Sequence, residues 1–377
     1  MGWRPPVPAV VVDEDNTEWQ VVRSWPGESA EEYVLELAAP GRAGVRAAHL
    51  RAGQLELLRD GRDRRLPALK LASPLGVVVV HRAHKRAVVR AGGHYLKIFR
   101  IRQADEAVDR HARMNELLGA EDFLTPEIVS CSPGSLTLMA LPGRSLFELG
   151  NDPAVSDAQF DEAWQKWSRA WVRQHSLART PAHRPTLEAL PPQPAAVELE
   201  NLRRTVNLWL VHARDVPAAQ AQAQRTAVRV AAGQTAEKLL LTDPDPLVWS
   251  HGDLHDKQIF TADPGAPLGL LDFDQAGRAE AAADLANLAV HLQLRLRQHR
   301  LTAERYQAAL RHVIATAEEL RVTPARFDAY ASATRLRLGC LYSFRPQWAA
   351  LAAEFLIPDG EQPLAAGIAA ARVGHTY

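Results

Sequence analysis

Residues 249–290 read WSHGDLHDKQIFTADPGAPLGLLDFDQAGRAEAAADLANLAV. Two apolar, strand-like runs punctuate this interval, Leu247-Val248-Trp249 and Leu268-Gly269-Leu270-Leu271. Asp253 sits in the loop after the first and Asp272 just after the second. Acids at strand ends are well placed to face a shared cleft. His251, His255, Asp256, Gln258, Asp274 and Asp284 crowd the same interval.

Transfer of a phosphoryl group from ATP needs residues of this kind. A carboxylate must accept or orient the proton of the acceptor hydroxyl. Hard oxygen ligands must hold Mg²⁺ against the phosphates. A cation must hold the α and β phosphates. Asp253 can supply the first, Gln258 and Asp272 the second, and Lys97, in a strand around Tyr95–Phe99, the third. The pattern H-R-D-L-x-x-x-N places a metal-binding Asn five residues after the base Asp. His251-Gly252-Asp253-Leu254-His255-Asp256-Lys257-Gln258 has the same spacing, and Asp272-Phe273-Asp274 stands where D-F-G would.

These motifs resemble those of the aminoglycoside phosphotransferase and choline-kinase group of small-molecule kinases. That group carries H-G-D-x-H-x-x-N and then D-[FW]-[DE], with D-L-A about a dozen residues later. Asp284-Leu285-Ala286 takes the last place. The resemblance covers roughly residues 76–345. It implies a protein-kinase-like α+β fold of two lobes, an antiparallel-sheet N-lobe and a mostly helical C-lobe. The cofactors it implies are ATP and Mg²⁺, and the partner is a small-molecule hydroxyl acceptor. Asp253 would be the base, Gln258 and Asp272 would bind the metal, and Asp274 would be either a second metal ligand or a solvated loop acid. Lys97 would bind phosphates, with Glu106, Asp109 or Glu116 as its helix acid and Glu106 preferred. His251 and Asp284 would brace the catalytic loop. Met139–Leu141 would form the adenine hinge.

The chain departs from the group's pattern in several places. Gln258 replaces Asn, keeping the amide oxygen on a stem one carbon longer. Maltokinase-like members share this Gln and an N-terminal cap, although their metal motif reads D-F-E-G-E. The phosphate-covering turn, His81-Arg82-Ala83-His84-Lys85, is basic rather than glycine-rich, which puts Arg82 beside the phosphates. Lys257 is placed to neutralise the transferring phosphoryl group.

Around this segment the chain changes character near residue 150. Before it, short apolar runs alternate with Gly and Pro and read as strands. In residues 1–75 these are Ala9–Val12, Tyr33–Leu37, Val45–Leu50 and Leu55–Leu58, with a hairpin turn at Arg51–Gln54 and no evident chemistry. Val77–Val80, Arg86–Arg90, His94–Phe99, Leu124–Val129 and Leu136–Leu141 follow, with a helix over Glu106–Leu118. Helical periodicity then marks Asp157–Leu177, Ala196–Ala213, 218–241, Glu280–Gln298, Ala303–Leu320, Pro324–Leu341 and Gln347–Phe355. Trp164, Trp167 and Trp171 share one helix face and read as core. Arg179–Pro194, with its prolines, reads as a loop, and Arg295–Arg300 as a solvated helix end. The expected organisation is a cap over 1–75, a nucleotide lobe over 76–143, a helical lobe over 144–356 and a tail over 357–377.

Composition excludes several classes. The chain has 377 residues, 47% hydrophobic and 23% charged, enough to bury a sizeable core. Lys plus Arg and Asp plus Glu are 44 each, which argues against a nucleic-acid binder. Two cysteines make no disulfide framework. Neither a secretory signal nor a bilayer-spanning run is evident, so the expected location is the cytoplasm, with no membrane partner. A zinc site is disfavoured, because histidines at i, i+4 ligate from a helix and Gly252 favours a loop. A protein kinase is disfavoured by the short interval between Asp272 and Asp284. The alternative to a small-molecule kinase is a nucleotide-binding pseudokinase with a regulatory role.

Overall fold

The computed structural model describes residues 5–101, 103–119, 121–213, 219–263 and 265–356. The chain is α+β. Its first sheet is antiparallel and runs in chain order through Val10–Val12, Glu18–Pro26, Glu32–Ala38, Arg46–Arg51 and Gln54–Leu57. Alternation buries Tyr33, Leu35 and Leu37 on one face of the third strand. The hairpin turn expected at Arg51–Gln54 forms with Ala52 at φ 45° and Gly53 at φ 78°, the positive-φ pair that matches strand twist. Strand Glu18–Pro26 was not expected. A register shift between Val21 and Arg23 breaks its period-two pattern, so Trp19 and Val21 are buried and then Ser24.

The second sheet has the order Ile128–Ser132, Ser135–Met139, His94–Ile98, Arg86–Ala91, Val77–Arg82. Lys97 lies in its central strand, opposite Val88 on one side and Leu136 on the other. Helix Gln103–Leu117 packs on this sheet through Ala104 and Ala107. The single strand expected over Leu124–Val129 is two. Phe123–Leu124 pairs in parallel with Leu268–Gly269, and a break containing Pro126 separates it from Ile128–Ser132.

The remainder is mostly helical: Asp157–Leu177, Ala195–His212, Ala219–Leu241, Ala281–Arg297, Ala303–Glu319, Pro324–Ser343 and Ala349–Leu356. A Ser156–Gln159 capping box starts the first of these. Trp164, Trp167 and Trp171 are fully buried, as core residues should be. The proline-rich Arg179–Pro194 is not all loop. Pro185 starts a short helix, Arg184–Ala189, because proline suits the first helical turn. Two small sheets set into the helices carry the loops of the site. One pairs Leu247–Ser250 with Gly277–Glu280, and the other includes Ile259–Thr261 and Leu268–Leu270. The tail 357–377 lies outside the described residues. No described helix is long and apolar enough to cross a membrane.

The first sheet is fastened in two directions. Glu36, wholly buried, accepts the His81 backbone N–H at 2.7 Å and pairs with Arg23. Val45 N–H donates to the Val78 carbonyl at 2.8 Å. On the helical side, Ser24 Oγ donates to the Phe344 carbonyl, and Gln347 Nε2 to the Val22 carbonyl at 2.9 Å. The Tyr33 ring packs 5.0 Å from His212.

Candidate active site

The catalytic-loop candidates begin where strand Leu247–Ser250 ends. Gly252 turns the chain at φ 80°, and a Cβ there would collide with the Gln275 carbonyl. Asp284, near the start of helix Ala281–Arg297, holds the turn. Its Oδ2 accepts His251 N–H at 2.7 Å and its Oδ1 accepts Gly252 N–H at 2.9 Å. His251 Nε2 donates to the Leu271 carbonyl at 2.9 Å. Its Nδ1 is thereby left to accept Asp253 N–H at 3.3 Å. Asn287 Nδ2 donates to the Leu254 carbonyl at 2.9 Å. One helix thus fixes the backbone on both sides of Asp253.

Asp256 anchors the far end of the loop. It is buried and pairs with Arg295, whose Nε lies 3.1 Å from Asp256 Oδ2. The expected solvated helix end at Arg295–Arg300 therefore holds for exposed Arg300 but not for Arg295, which is 4% exposed. Its partner lies 39 residues away in sequence, so local charge pattern could not reveal the burial.

Asp272 follows strand Leu268–Leu270 at φ 72°, a backbone region that L residues rarely adopt. Lys97 Nζ crosses from the second sheet to within 2.5 Å of Asp272 Oδ1 and 2.7 Å of Asp274 Oδ1. Burial opposes ionisation of Asp272, but Lys97 outweighs it and holds the carboxyl below the usual range. Burial likewise works against the Lys97 ammonium, and Asp272 and Asp274 together raise it above its usual value. Gln258 is buried, with Nε2 at 3.5 Å from Asp272 Oδ2. Arg110, on helix Gln103–Leu117, donates to the Asp274 carbonyl. Phe273 lies between the rings of His111 (5.4 Å) and His251 (5.5 Å).

A cavity of about 900 Å³ joins these groups, lined by Lys97, Asp253, Lys257, Gln258, Asp272 and Asp274 among others. Burial lowers the basicity of Lys257, and Arg295 adds to the effect. Burial also lowers His255 and His291, whose rings lie 4.9 Å apart, so both imidazoles are neutral at neutral pH. A second cavity of about 530 Å³ shares Asp253, Asp272 and Asp274 and adds Arg82, Lys85 and Glu106. Arg82 stacks 4.9 Å from the Trp25 ring of the first sheet.

Among the three helix acids, Asp109 pairs with Arg113 and Glu116 accepts from Thr186 Oγ1, while Glu106 faces the second cavity. None of the three is an ion-pair partner of Lys97, whose partners among the described residues are Asp272 and Asp274. Met139 and Leu141 lie outside both linings. Met139 N–H is engaged by the Glu127 carbonyl at 2.9 Å, and Leu141 packs beside Gly269. The sequence reading missed Arg23, Tyr342 and Arg345, which line the first cavity from the two ends of the chain. No local motif marks them.

The model of the phosphotransferase enzyme family, APH, matches residues 71–330. The chain belongs to this family. No curated protein matches it significantly. Among solved structures it is similar to an amicoumacin kinase in complex with AMP-PNP and Ca²⁺, at 14% identity and a TM-score of 0.52, covering 75% of this chain and 87% of that one. It is also similar to an aminoglycoside 2′-phosphotransferase in a GDP complex, at 15% identity and a TM-score of 0.50, covering 74% and 88%. A choline kinase from Cryptosporidium parvum Iowa II aligns at 10% identity and a TM-score of 0.50, covering 78% and 92%. At these identities the likeness is one of fold. Family membership makes the chain a small-molecule phosphotransferase.

Proposed function

We propose that the protein transfers the γ-phosphoryl group of ATP to a hydroxyl of a small molecule, with Asp253 as the base. The observation that carries this reading is the convergence of Lys97, Asp253, Gln258, Asp272 and Asp274 on one cavity, although they come from separate elements.

The donor set fits a divalent cation. Two carboxylates and an amide are hard oxygen ligands of the kind Mg²⁺ takes. Asp272 and Asp274 already share one cation, the Lys97 ammonium. Gln258 presents its amide to Asp272, and rotation of the amide turns Oε1 toward the same place. Bound Mg²⁺ would neutralise charge on the phosphates during transfer. With nucleotide bound, Lys97 would serve the phosphate oxygens, and Asp272 and Asp274 would be the acids that hold the metal. Arg82 and Lys85 line the second cavity with Glu106, from where the two cations would flank the phosphates.

Asp253 carries the proton chemistry. The acceptor oxygen attacks the γ-phosphorus as its proton passes to the Asp253 carboxylate, and ADP leaves. Lys257, held over the Phe147 ring at 4.2 Å, shares the cavity lining with Asp253 and would balance charge on the transferring group. His251 and Asp284 touch no substrate and hold the loop in register. In this organisation residues 76–143 form the nucleotide lobe, 144–356 the helical lobe and 1–75 a cap. Met139–Leu141 would take the adenine through rearrangement of the segment, since the Met139 and Ala140 N–H groups already have backbone partners.

The test is Mg²⁺-dependent transfer from labelled ATP to sugars, amino alcohols and aminoglycosides, with Asp253→Asn beside the parent chain. A positioned general base contributes about 10²–10⁴-fold, so the variant should lose that much transfer while retaining ATP binding. Undiminished transfer by Asp253→Asn would remove Asp253 from the role. ATP binding without transfer by the parent chain, to any acceptor, would favour a pseudokinase.

A further inference from the structure

The 900 Å³ cavity has two electrostatically different ends. The carboxylates in its lining, Asp253, Asp272 and Asp274, stand at the catalytic end. The remaining wall comes from the first sheet and the C-terminal helices, and its charged side chains are cations: Arg23, Arg295, Arg300 and Arg345, with Arg337, which also lines the second cavity. Lys257 belongs with this group, since the charges that act on it are Arg295, Asp256, Tyr342 and Arg23. Three of these cations already have partners. Arg23 pairs with Glu36, Arg295 with Asp256, and Arg337 with Glu198 at 3.5 Å. Lys257, Arg300 and Arg345 have no carboxylate within ion-pair distance among the described residues.

Arg345 is held in place without a counter-ion. Its guanidinium lies over the Tyr342 ring at 3.9 Å, and Leu341 and Trp348 add apolar wall nearby. The local field is positive. Burial alone would raise the Tyr342 phenol, yet Arg345 and Arg295 outweigh it and hold the phenol below its usual value. Burial depresses Arg345 too, and Arg23 and Arg295 add to the effect.

This group of charges is distinct from the nucleotide end. Besides burial, the strongest influences on Arg345 are Tyr342, Arg23 and Arg295, whereas those on Asp272 are Lys97, Arg86 and His251. A polycationic acceptor would meet like charge across the whole far wall. A planar guanidinium without a carboxylate partner, half-buried beside apolar groups, is suited to an oxyanion.

Resting on the phosphotransferase reading above, we infer that the acceptor carries an acidic oxyanion group, a carboxylate or a phosphate ester, and that Arg345 with Arg300 receives it. The hydroxyl to be phosphorylated then points toward Asp253, and Arg23 and Lys257 close the pocket around the anion. This assigns the specificity of the site to residues at opposite ends of the chain.

The test is calorimetric titration of the protein, loaded with ADP and Mg²⁺, with five probes. Gluconate carries a carboxylate, glycerol phosphate a phosphate ester, glucose no charge, and glucosamine and kanamycin positive charge. Binding by one or both anionic probes and by none of the others is expected, and the two anionic arms separate the two sources. Arg345→Gln should weaken that binding about tenfold or more, with Arg345→Lys recovering part of it. Exposed Arg300→Gln, which leaves the fold alone, should weaken it less and serves if Arg345→Gln does not fold. Binding confined to glucose, glucosamine or kanamycin overturns the inference. So does a failure of both anions to bind, or anion binding that the folded variants leave unchanged. Loss of ATP turnover in Asp253→Asn is followed separately. Turnover that does not depend on Asp253 would count against the phosphotransferase mechanism and leave the anion result standing by itself.

Discussion

Lys97 Nζ lies 2.5 Å from Asp272 Oδ1, a pairing that joins residues 175 apart in sequence. The partners are side by side only when the second sheet sits over the turn that follows strand Leu268–Leu270. The pair therefore ties the second sheet to the loop that carries Asp272, and its charges should be visible in stability as well as in activity.

The sign of that stability effect follows from the two shifts. Asp272 is depressed below 3.8, so its contribution is present above that pH and is lost as pH falls through the lower folded value. Lys97 is raised above 10.5, so its contribution is present below that pH and is lost as pH rises through the higher folded value. The melting-temperature gap between the parent chain and Asp272→Asn should be widest between these limits and narrow in acid. A gap that widens steadily on acidification would contradict the pairing. Lys97→Met should raise the KM for ATP about tenfold or more, the magnitude of a lost charge-assisted contact.

Gln258 offers a metal-specific prediction. Gln258→Asn withdraws the amide by one carbon from Asp272, while Gln258→Ala removes it. The Mg²⁺ concentration for half-maximal turnover should rise in both and further in Gln258→Ala. An equal loss of kcat at saturating and limiting Mg²⁺, with no change in that concentration, would take Gln258 away from the metal.

Asp284→Asn tests the loop brace. An Asn side chain has one acceptor oxygen, so either His251 or Gly252 N–H would face an amide nitrogen instead. Gly252 N–H keeps Ser250 Oγ at 3.1 Å, so the loss should fall at the low end of the about 1–3 kcal/mol that an unpaired buried donor costs. Denaturant unfolding should show that loss, and kcat should fall while ATP affinity changes little. A stable, fully active variant would mean that the loop keeps its register by other contacts.

Arg295→Ala should be more severe. It leaves Asp256 as an uncompensated buried charge, a situation that costs about 3–5 kcal/mol. Combining it with Asp256→Asn should recover part of the loss, because the stranded charge is then gone. Additive losses in the double variant would show that the two side chains act independently.

The gathering of the candidate site residues was legible because their spacing is local. The spacing from His251 to Gln258 and from Asp272 to Asp284 is set within one loop and one strand–turn–helix unit. The fold class and most long helices were legible from hydrophobic period. Strand Glu18–Pro26 was hidden by its register shift, and helix Arg184–Ala189 by the prolines around it. The burial of Arg295 depends on Asp256, and the wall built by Arg23 and Arg345 depends on chain ends meeting in space. Periodicity carries no information about such meetings.

The Ser24–Phe344 hydrogen bond spans 320 residues and fastens the first sheet to the last helices. It therefore bears on biosynthesis. The first sheet emerges from the ribosome before the groups that cover it: His212 on Tyr33 comes later, and Phe344, on both Ser24 and Tyr33, later still. At about 5–20 residues per second, the sheet waits roughly a quarter of a minute to a minute for Phe344. Through that interval the Tyr33 face has at most His212 against it and lacks Phe344, and a nascent chain stalled before Phe344 would leave that face partly available to chaperones.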